Sequence, residues 1–156
     1  MASFEKSVLV RHGAAAMFAL VADIPSYPLF LPWCSGARIV SRDGDAVTAE
    51  IDINFHGITQ SFTTVNAQHP HDLIELRLVR GPFSALDGHW RFTPLADDAC
   101  KVELGLNYDF NNFLLQKLVG PVFHTIATTM VDSFVKRADD VAAARLEHGA
   151  ASDDPV

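Results

Sequence analysis

Cysteine and basic residues are scarce in this sequence, and both shortages narrow the classes of protein that it can encode. The 156 residues include two cysteines, Cys34 and Cys100. Two cysteines form no zinc-binding spacing, and in a reducing compartment we expect both to be free thiols. Twelve lysines and arginines stand against 19 aspartates and glutamates, giving a net charge of −7. This balance disfavours broad contacts with DNA and with anionic membrane surfaces.

Long apolar runs and a leader segment are also lacking. No stretch approaches the roughly 18 consecutive apolar residues of a membrane-spanning helix. The first six residues have neither a basic region nor an apolar region of the kind found in signal peptides. We therefore expect a cytoplasmic protein and leave open a peripheral position at the inner face of the cytoplasmic membrane. The length suits a single domain over 1–147, followed by a polar tail, 148–156, that we expect to be disordered.

The stretch from 112 to 147 has apolar residues spaced three and four apart, which is the period of an α-helix with one wide apolar face. Its apolar stripe begins at Leu114, and Asn112 offers an N-cap. Pro121 lacks a backbone N–H, so the pattern predicts either a kink there or a helix that begins near it.

Apolar and polar residues alternate through most of the preceding hundred residues, as in half-buried strands. A strand over 4–10 and a helix over 14–22 come first. Six strands follow at the spacing of an antiparallel meander, over 37–42, 46–55, 58–67, 73–80, 85–94 and 100–110. This order predicts an α+β helix-grip fold, in which a curved antiparallel sheet of about seven strands wraps around the long C-terminal helix. Two short helices would follow the first strand.

One curved sheet cannot close fully on one helix, so we expect an apolar ligand pocket between them. The predicted wall consists of large apolar side chains on the strands and the long helix: Phe62, Leu76, Phe83, Trp90, Phe92, Tyr108, Phe110, Phe123, Ile126 and Met130. The alternative is that these side chains simply fill the core.

A proline-rich apolar segment, 23–34, interrupts the pattern after the short helix. Its three prolines preclude a regular strand or a long helix. Four further ligand-binding candidates therefore lie on a stiff, irregular connection: Tyr27, Phe30, Leu31 and Trp33. A connection this apolar either folds under the domain or touches an apolar partner.

Four stretches, which together span residues 3–145, carry a resemblance to a known family. They are 21–34, 57–64, the segment Gly81-Pro82-Phe83 with Trp90 and Phe92, and Asp109-Phe110 with Met130, Phe134 and Arg137. In these residues the chain resembles the START-like superfamily, in particular the oligoketide cyclase/lipid transport proteins. That group includes the coenzyme Q-binding proteins and the RatA family of ribosome-association toxins.

The resemblance implies non-enzymatic binding or transport of a hydrophobic small molecule that supports respiration. Ubiquinone or another isoprenoid lipid would be a ligand rather than a cofactor. Residues 25–33 would form a gate or a transient membrane contact. On this interpretation Leu31→Asp or Trp33→Ala lowers lipid transfer without unfolding the domain.

The toxin side of the resemblance implies a different activity, binding to the 50S ribosomal subunit so that subunit association is blocked. Four basic side chains on the predicted outer face of the sheet would make the contact: Arg77, His89, Arg91 and Lys101. Glu75, Asp87 and Glu103 are interleaved with them, and this pattern equally predicts a solvated face with cross-strand ion pairs.

An enzyme needs a placed acid, base, nucleophile or metal, and candidates for these roles are few. His69 and His71 flank Pro70 on a turn without a third ligand in register, so we predict no metal site. A polyketide cyclase or aromatase would need a base in the pocket, where the predicted inner faces offer Tyr108, with Gln60 as a hydrogen-bonding amide. We name no catalytic residue, although an enzymatic role stays open.

Overall fold

The computed structural model describes residues 2–152, with side chains described through residue 146. The strands are β1 Ala2–Val10, β2 Cys34–Asp43, β3 Ala46–Phe55, β4 Ile58–His69, β5 Leu73–Arg80, β6 Phe83–Ala96 and β7 Ala99–Phe110. The helices are α1 Ala14–Ala22, a 3₁₀ helix Ile24–Leu29 and α2 Phe113–Ser152. The predicted order of elements is confirmed, and several strands extend up to four residues further than their alternation predicts.

The seven strands form one antiparallel sheet in the order β1-β7-β6-β5-β4-β3-β2. Each strand from β2 to β6 therefore pairs with the next strand along the chain, and β1 pairs with β7 to form the other edge of the sheet. The β3–β4 hairpin closes through His56 and Gly57, with φ values of 51° and 80°. Two successive positive φ values match the right-handed twist of the strands, which makes this a tight two-residue connection.

Helix α2 is continuous from Phe113 through Pro121, so the alternative of a helix that begins near Pro121 is wrong. The Asn112 side-chain oxygen accepts a hydrogen bond from the Leu115 N–H at 2.9 Å, which confirms the predicted N-cap. The buried stripe of α2 begins at Val119, five residues later than the predicted start of the apolar stripe at Leu114. Leu114 and Leu118 are exposed, because the fold covers the helix only from its third turn onward.

An aromatic cluster centred on Phe134 of α2 joins the helix, the sheet and the 3₁₀ segment. The Phe134 ring lies 5.3 Å from Tyr27, 5.1 Å from Phe30 and 5.2 Å from Trp90, in edge-to-face geometry each time. Arg137, one turn further along the helix, places its guanidinium 5.2 Å from the centre of the Phe30 ring. Ring contacts of this kind add to the free energy gained by burial.

Two polar links also hold α2 to the start of the chain. Lys6 of β1 donates to Asp132 at 3.0 Å, and the His12 ring lies 2.6 Å from the Asp139 carboxylate. Cys34 and Cys100 are free and buried. Burial raises the pKa of the Cys34 thiol to about 11, so this thiol is neutral at physiological pH.

By length and composition alone, the segment Phe113–Leu146 of α2 could also cross a membrane. In this fold its apolar stripe packs against the sheet, and we interpret it as a core helix. The helix reaches Ser152, so it includes the first residues of the tail predicted to begin at 148; residues 153–156 lie outside the described range.

Replacing Phe134 by alanine tests the aromatic cluster. Phe134 is fully buried, so Phe134→Ala should lower the free energy of unfolding by about 3–5 kcal/mol, measured by urea denaturation. The matched control on the same helix is Phe113→Ala. Phe113 is 75% exposed, and its loss should change stability by no more than about 0.5 kcal/mol. Equal effects of the two substitutions would contradict this packing of α2.

Candidate ligand-binding site

A cavity of about 70 Å³ lies between the concave face of the sheet and α2. Helix α2 contributes Phe123, Ile126 and Met130 to its wall, and the α1-to-β2 region contributes Tyr27 and Trp33. The remaining wall residues come mainly from strands β4 to β7 and are mostly apolar. An apolar interior space with a few polar groups is the usual form of a small-molecule site.

The polar part of the wall lies on β4, where Thr64, Asn66 and Gln68 alternate on the inner face. Thr64 Oγ1 donates to Asn66 Oδ1 at 2.8 Å, and both residues are buried. Sequence reasoning missed these three residues and named Gln60 instead. The period of two that starts at Phe62 leads directly to 64, 66 and 68, but their polarity argued against an inward position.

Two side chains from the proline-rich segment, Tyr27 and Trp33, also line the cavity. The polar group of Tyr27 has a hydrogen-bond partner, and that of Trp33 has none among the described residues. The Tyr27 hydroxyl donates to the Val21 carbonyl at 2.5 Å, and burial raises the pKa of Tyr27 well above its ordinary value. Trp33 is buried, and its Nε1 has no hydrogen-bond partner among the described residues.

The structure brings eight of the fourteen predicted site residues together on the cavity wall. They are Tyr27, Trp33, Phe62, Leu76, Trp90, Phe123, Ile126 and Met130. The other six lie outside it: Phe30, Leu31, Phe83, Phe92, Tyr108 and Phe110. Their role as ligand contacts was predicted from alternation alone, which cannot separate a wall residue from a core residue packed behind it.

Packing explains most of those six positions. Phe83 stacks on Phe110 at 5.1 Å, and Tyr108 meets Phe123 edge to face at 4.7 Å. These rings fill the space beside the first buried turns of α2. Phe92 packs against Trp90, with nearly parallel rings whose centres lie 6.3 Å apart. For these residues the alternative stated from the sequence, that they fill the core, describes the structure.

The proline-rich segment turns three of its four predicted site residues into the domain, and the gate or membrane contact over 25–33 stays a prediction. Its first half forms the 3₁₀ helix, and Tyr27, Leu31 and Trp33 turn inward to full burial. Leu29 is the large apolar side chain of this segment that faces solvent, at 71% exposed. The segment therefore folds under the domain, which is one of the two outcomes that its apolar character allowed.

The outer face of the sheet carries an open depression of about 900 Å³. Charged side chains of both signs line it, namely Glu5, Glu75, Arg77, Asp87, His89 and Arg91. Arg91 lies 3.8 Å from Asp72, and Lys101, beyond the depression, lies 3.7 Å from Glu103. Arg77 has no ion pair among the described residues, so the face combines ion pairs with at least one unpaired cation.

Acid–base and metal chemistry have little support at the cavity. Tyr27 is its titratable wall residue among those described, and its hydroxyl already donates to a carbonyl. Within residues 2–152, no three histidine, cysteine, aspartate or glutamate side chains come together as a metal site.

A seven-stranded antiparallel sheet that grips one long helix, with a cavity between them, defines the START/Bet v 1-like helix-grip class. Solved structures share this architecture. An aromatase/cyclase named Zhui from a Streptomyces species has a TM-score of 0.79 at 14% identity, with 88% of this chain and 93% of that chain covered. A START superfamily protein from Mycobacterium smegmatis has a TM-score of 0.73 at 20% identity, with 89% and 98% covered.

Sequence comparison narrows the class to a family. Residues 10–135 match the family described as polyketide cyclase / dehydrase and lipid transport, and the chain belongs to that family. The ribosome association toxin RatA of Escherichia coli K12 is 41% identical over 145 residues, which covers 93% of this chain and 92% of the relative. A mitochondrial coenzyme Q-binding protein, COQ10 homolog B of Xenopus laevis, is 24% identical over 139 residues, covering 86% and 57%.

The burial of the proline-rich segment can be tested with one substitution at two neighbouring positions. Leu31 is 1% exposed, so Leu31→Asp places an unpaired charge in the core and should unfold the domain or lower its melting temperature by more than 10 °C, roughly. Leu29→Asp, at the exposed position, should leave the melt unchanged, as followed by circular dichroism. A Leu31→Asp variant that folds and melts like wild type would contradict the burial of Leu31.

Proposed function

We propose that this protein binds an apolar small molecule in the cavity between the sheet and α2, with an isoprenoid quinone such as ubiquinone as the ligand class. The observation that carries the proposal is the composition of the cavity wall. The wall is mostly apolar, and its polar side chains lie mainly on β4, at Thr64, Asn66 and Gln68. Such a wall suits a molecule with a long apolar part and a small polar head. The printed name of the coenzyme Q-binding relative supports the same class.

The size of the cavity adds a requirement to this proposal. Small-molecule sites commonly measure about 300–1,000 Å³, well above the roughly 70 Å³ found here. A quinone therefore enters only when wall side chains move outward. Leu76 of β5 and Met130 of α2 are half-buried wall residues, and the flexible Met130 side chain is suited to such a movement.

Filling the cavity from α2 tests whether it is the binding site. Ile126 is buried and lies on the wall, so Ile126→Phe adds volume to the space that a ligand would occupy. We expect binding of a short-chain ubiquinone, measured by calorimetry, to weaken at least roughly tenfold. The melting temperature should change by less than about 4 °C, because part of the added ring fills an existing void.

A direct measurement complements this variant. Protein purified from a quinone-producing host would be extracted with organic solvent, and the extract analysed by mass spectrometry. An isoprenoid quinone in the wild-type extract, depleted in Ile126→Phe, would agree with the proposal. Full-strength quinone binding by a folded Ile126→Phe protein would place the ligand elsewhere.

Ribosome association is a second candidate, favoured by the names of the relatives rather than by the cavity. RatA proteins match this chain almost end to end, at 41% identity for the E. coli protein. We propose that any such contact uses the outer face of the sheet, where Arg77 is unpaired and Arg91 is held only by a 3.8 Å pair with Asp72. It would take place in the cytoplasm, on ribosomal subunits. The net charge of −7 restricts it to a local contact.

Charge reversal on that face separates the two candidates. The double variant Arg77→Glu/Arg91→Glu should abolish any effect of the protein on subunit joining, followed by sucrose-gradient profiles of purified subunits. Quinone binding should be unchanged, because both residues lie on the opposite side of the sheet from the cavity. Ile126→Phe is the reciprocal control and should leave the gradient profile as in wild type. Wild-type protein without any effect on joining would refute this second candidate.

A further inference from the structure

The buried N–H group of Trp33 is the starting point. Trp33 is 3% exposed, lines the cavity, and its Nε1 has no acceptor among the described residues. An indole N–H is a donor only and cannot be satisfied by turning into an acceptor. Buried donors normally have a partner, and those that lack one in a native structure call for a specific reason.

The other buried polar side chains on the wall, Tyr27, Thr64 and Asn66, each make a hydrogen bond within the protein. The Tyr27 hydroxyl donates to the Val21 carbonyl, and Asn66 Oδ1 accepts from Thr64. Asn66 Nδ2, in contrast, has no hydrogen bond among the described residues. Gln68 carries both donors and an acceptor but is only half buried, at the edge of the space. The wall residues therefore include at least two donors without a partner, Trp33 Nε1 and Asn66 Nδ2, whereas the oxygens of Tyr27, Thr64 and Asn66 each already take part in one hydrogen bond.

We propose that Trp33 Nε1 donates a hydrogen bond to a neutral carbonyl oxygen of the ligand, so that the site prefers a quinone over the corresponding hydroquinone. This inference rests on the proposed function and specifies the polar chemistry of its ligand. A quinone presents carbonyl acceptors to the free donors. A hydroquinone brings two O–H donors that each need an acceptor, and the oxygens of Tyr27, Thr64 and Asn66 already take part in one hydrogen bond each. A buried donor without a partner is costly.

The same wall disfavours a charged head group. No lysine, arginine or histidine is among the described wall residues, so a carboxylate or phosphate would be buried without a counter-charge. A neutral ketone or quinone oxygen has no such requirement. The expected ligand is thus a neutral molecule whose buried polar atoms accept hydrogen bonds.

The test compares two redox forms of one probe in the full-length protein. Dissociation constants would be measured by anaerobic calorimetry for a short-chain ubiquinone and for its chemically reduced hydroquinone. Wild-type protein should bind the quinone more tightly, and one net hydrogen bond corresponds to roughly 2- to 12-fold in affinity. Trp33→Phe keeps an aromatic ring but removes the N–H, so it should lose this preference through weaker quinone binding, with hydroquinone binding unchanged.

Two controls separate a hydrogen bond from a structural role. Trp90→Phe makes the same change at the other wall tryptophan. Retention of the quinone preference in this variant would assign the preference to Trp33, and its loss there as well would overturn that assignment. The ligand-free Trp33→Phe protein should melt within about 4 °C of wild type, because the smaller ring leaves a small void but also removes an unsatisfied donor.

The outcomes separate the two levels of the proposal. Failure of wild-type protein to bind either form would overturn the proposed function, and this inference with it. Binding of both forms with equal affinity, or equal losses of both in Trp33→Phe, would overturn the role of Trp33 and leave the proposed function standing. Should Trp33→Phe fail to fold, the wild-type preference between the two forms still decides.

Discussion

The structure depends on one contact, that between the buried stripe of α2 and the concave face of a single antiparallel sheet. A sheet cannot cover a rod on all sides, so the α1-to-β2 region closes the remaining side with Tyr27, Leu31 and Trp33. The Phe134 cluster is where these three parts meet. The cavity is the space that this arrangement leaves, which is why its wall takes residues from each part.

The elements could be predicted because each follows from a local period. Alternation located the strands, and the three-to-four spacing located α2. The two-residue gap between the predicted strands 46–55 and 58–67 is a hairpin that the structure closes with two positive φ values. The site was harder to predict. Alternation shows which face of a strand turns inward, but it contains no information on whether an inward ring borders empty space or another ring. Phe92 and Tyr108 point inward as predicted but pack against other rings outside the cavity wall.

Polarity misled the sequence reasoning on β4 and left it undecided in the proline-rich segment. Thr64, Asn66 and Gln68 were overlooked because polar residues are rarely placed inside, although the Thr64 hydroxyl donates to the Asn66 side-chain oxygen once both are buried. For Leu31 and Trp33 the sequence left two outcomes open, burial under the domain or contact with an apolar partner, because prolines surround them. Proline excludes regular strands and long helices, but it does not exclude burial, and here a 3₁₀ turn carries these side chains into the core.

The position of the two tryptophans has a practical consequence. The sequence contains no others, and both Trp33 and Trp90 line the cavity. The tryptophan fluorescence of the protein, excited selectively, therefore comes entirely from the wall of this one space. Emission wavelength and quenching report on the polarity and occupancy of the cavity without an added label, while events on the outer face of the sheet stay spectroscopically silent. Tryptophan emission is therefore a label-free measure of changes in the cavity.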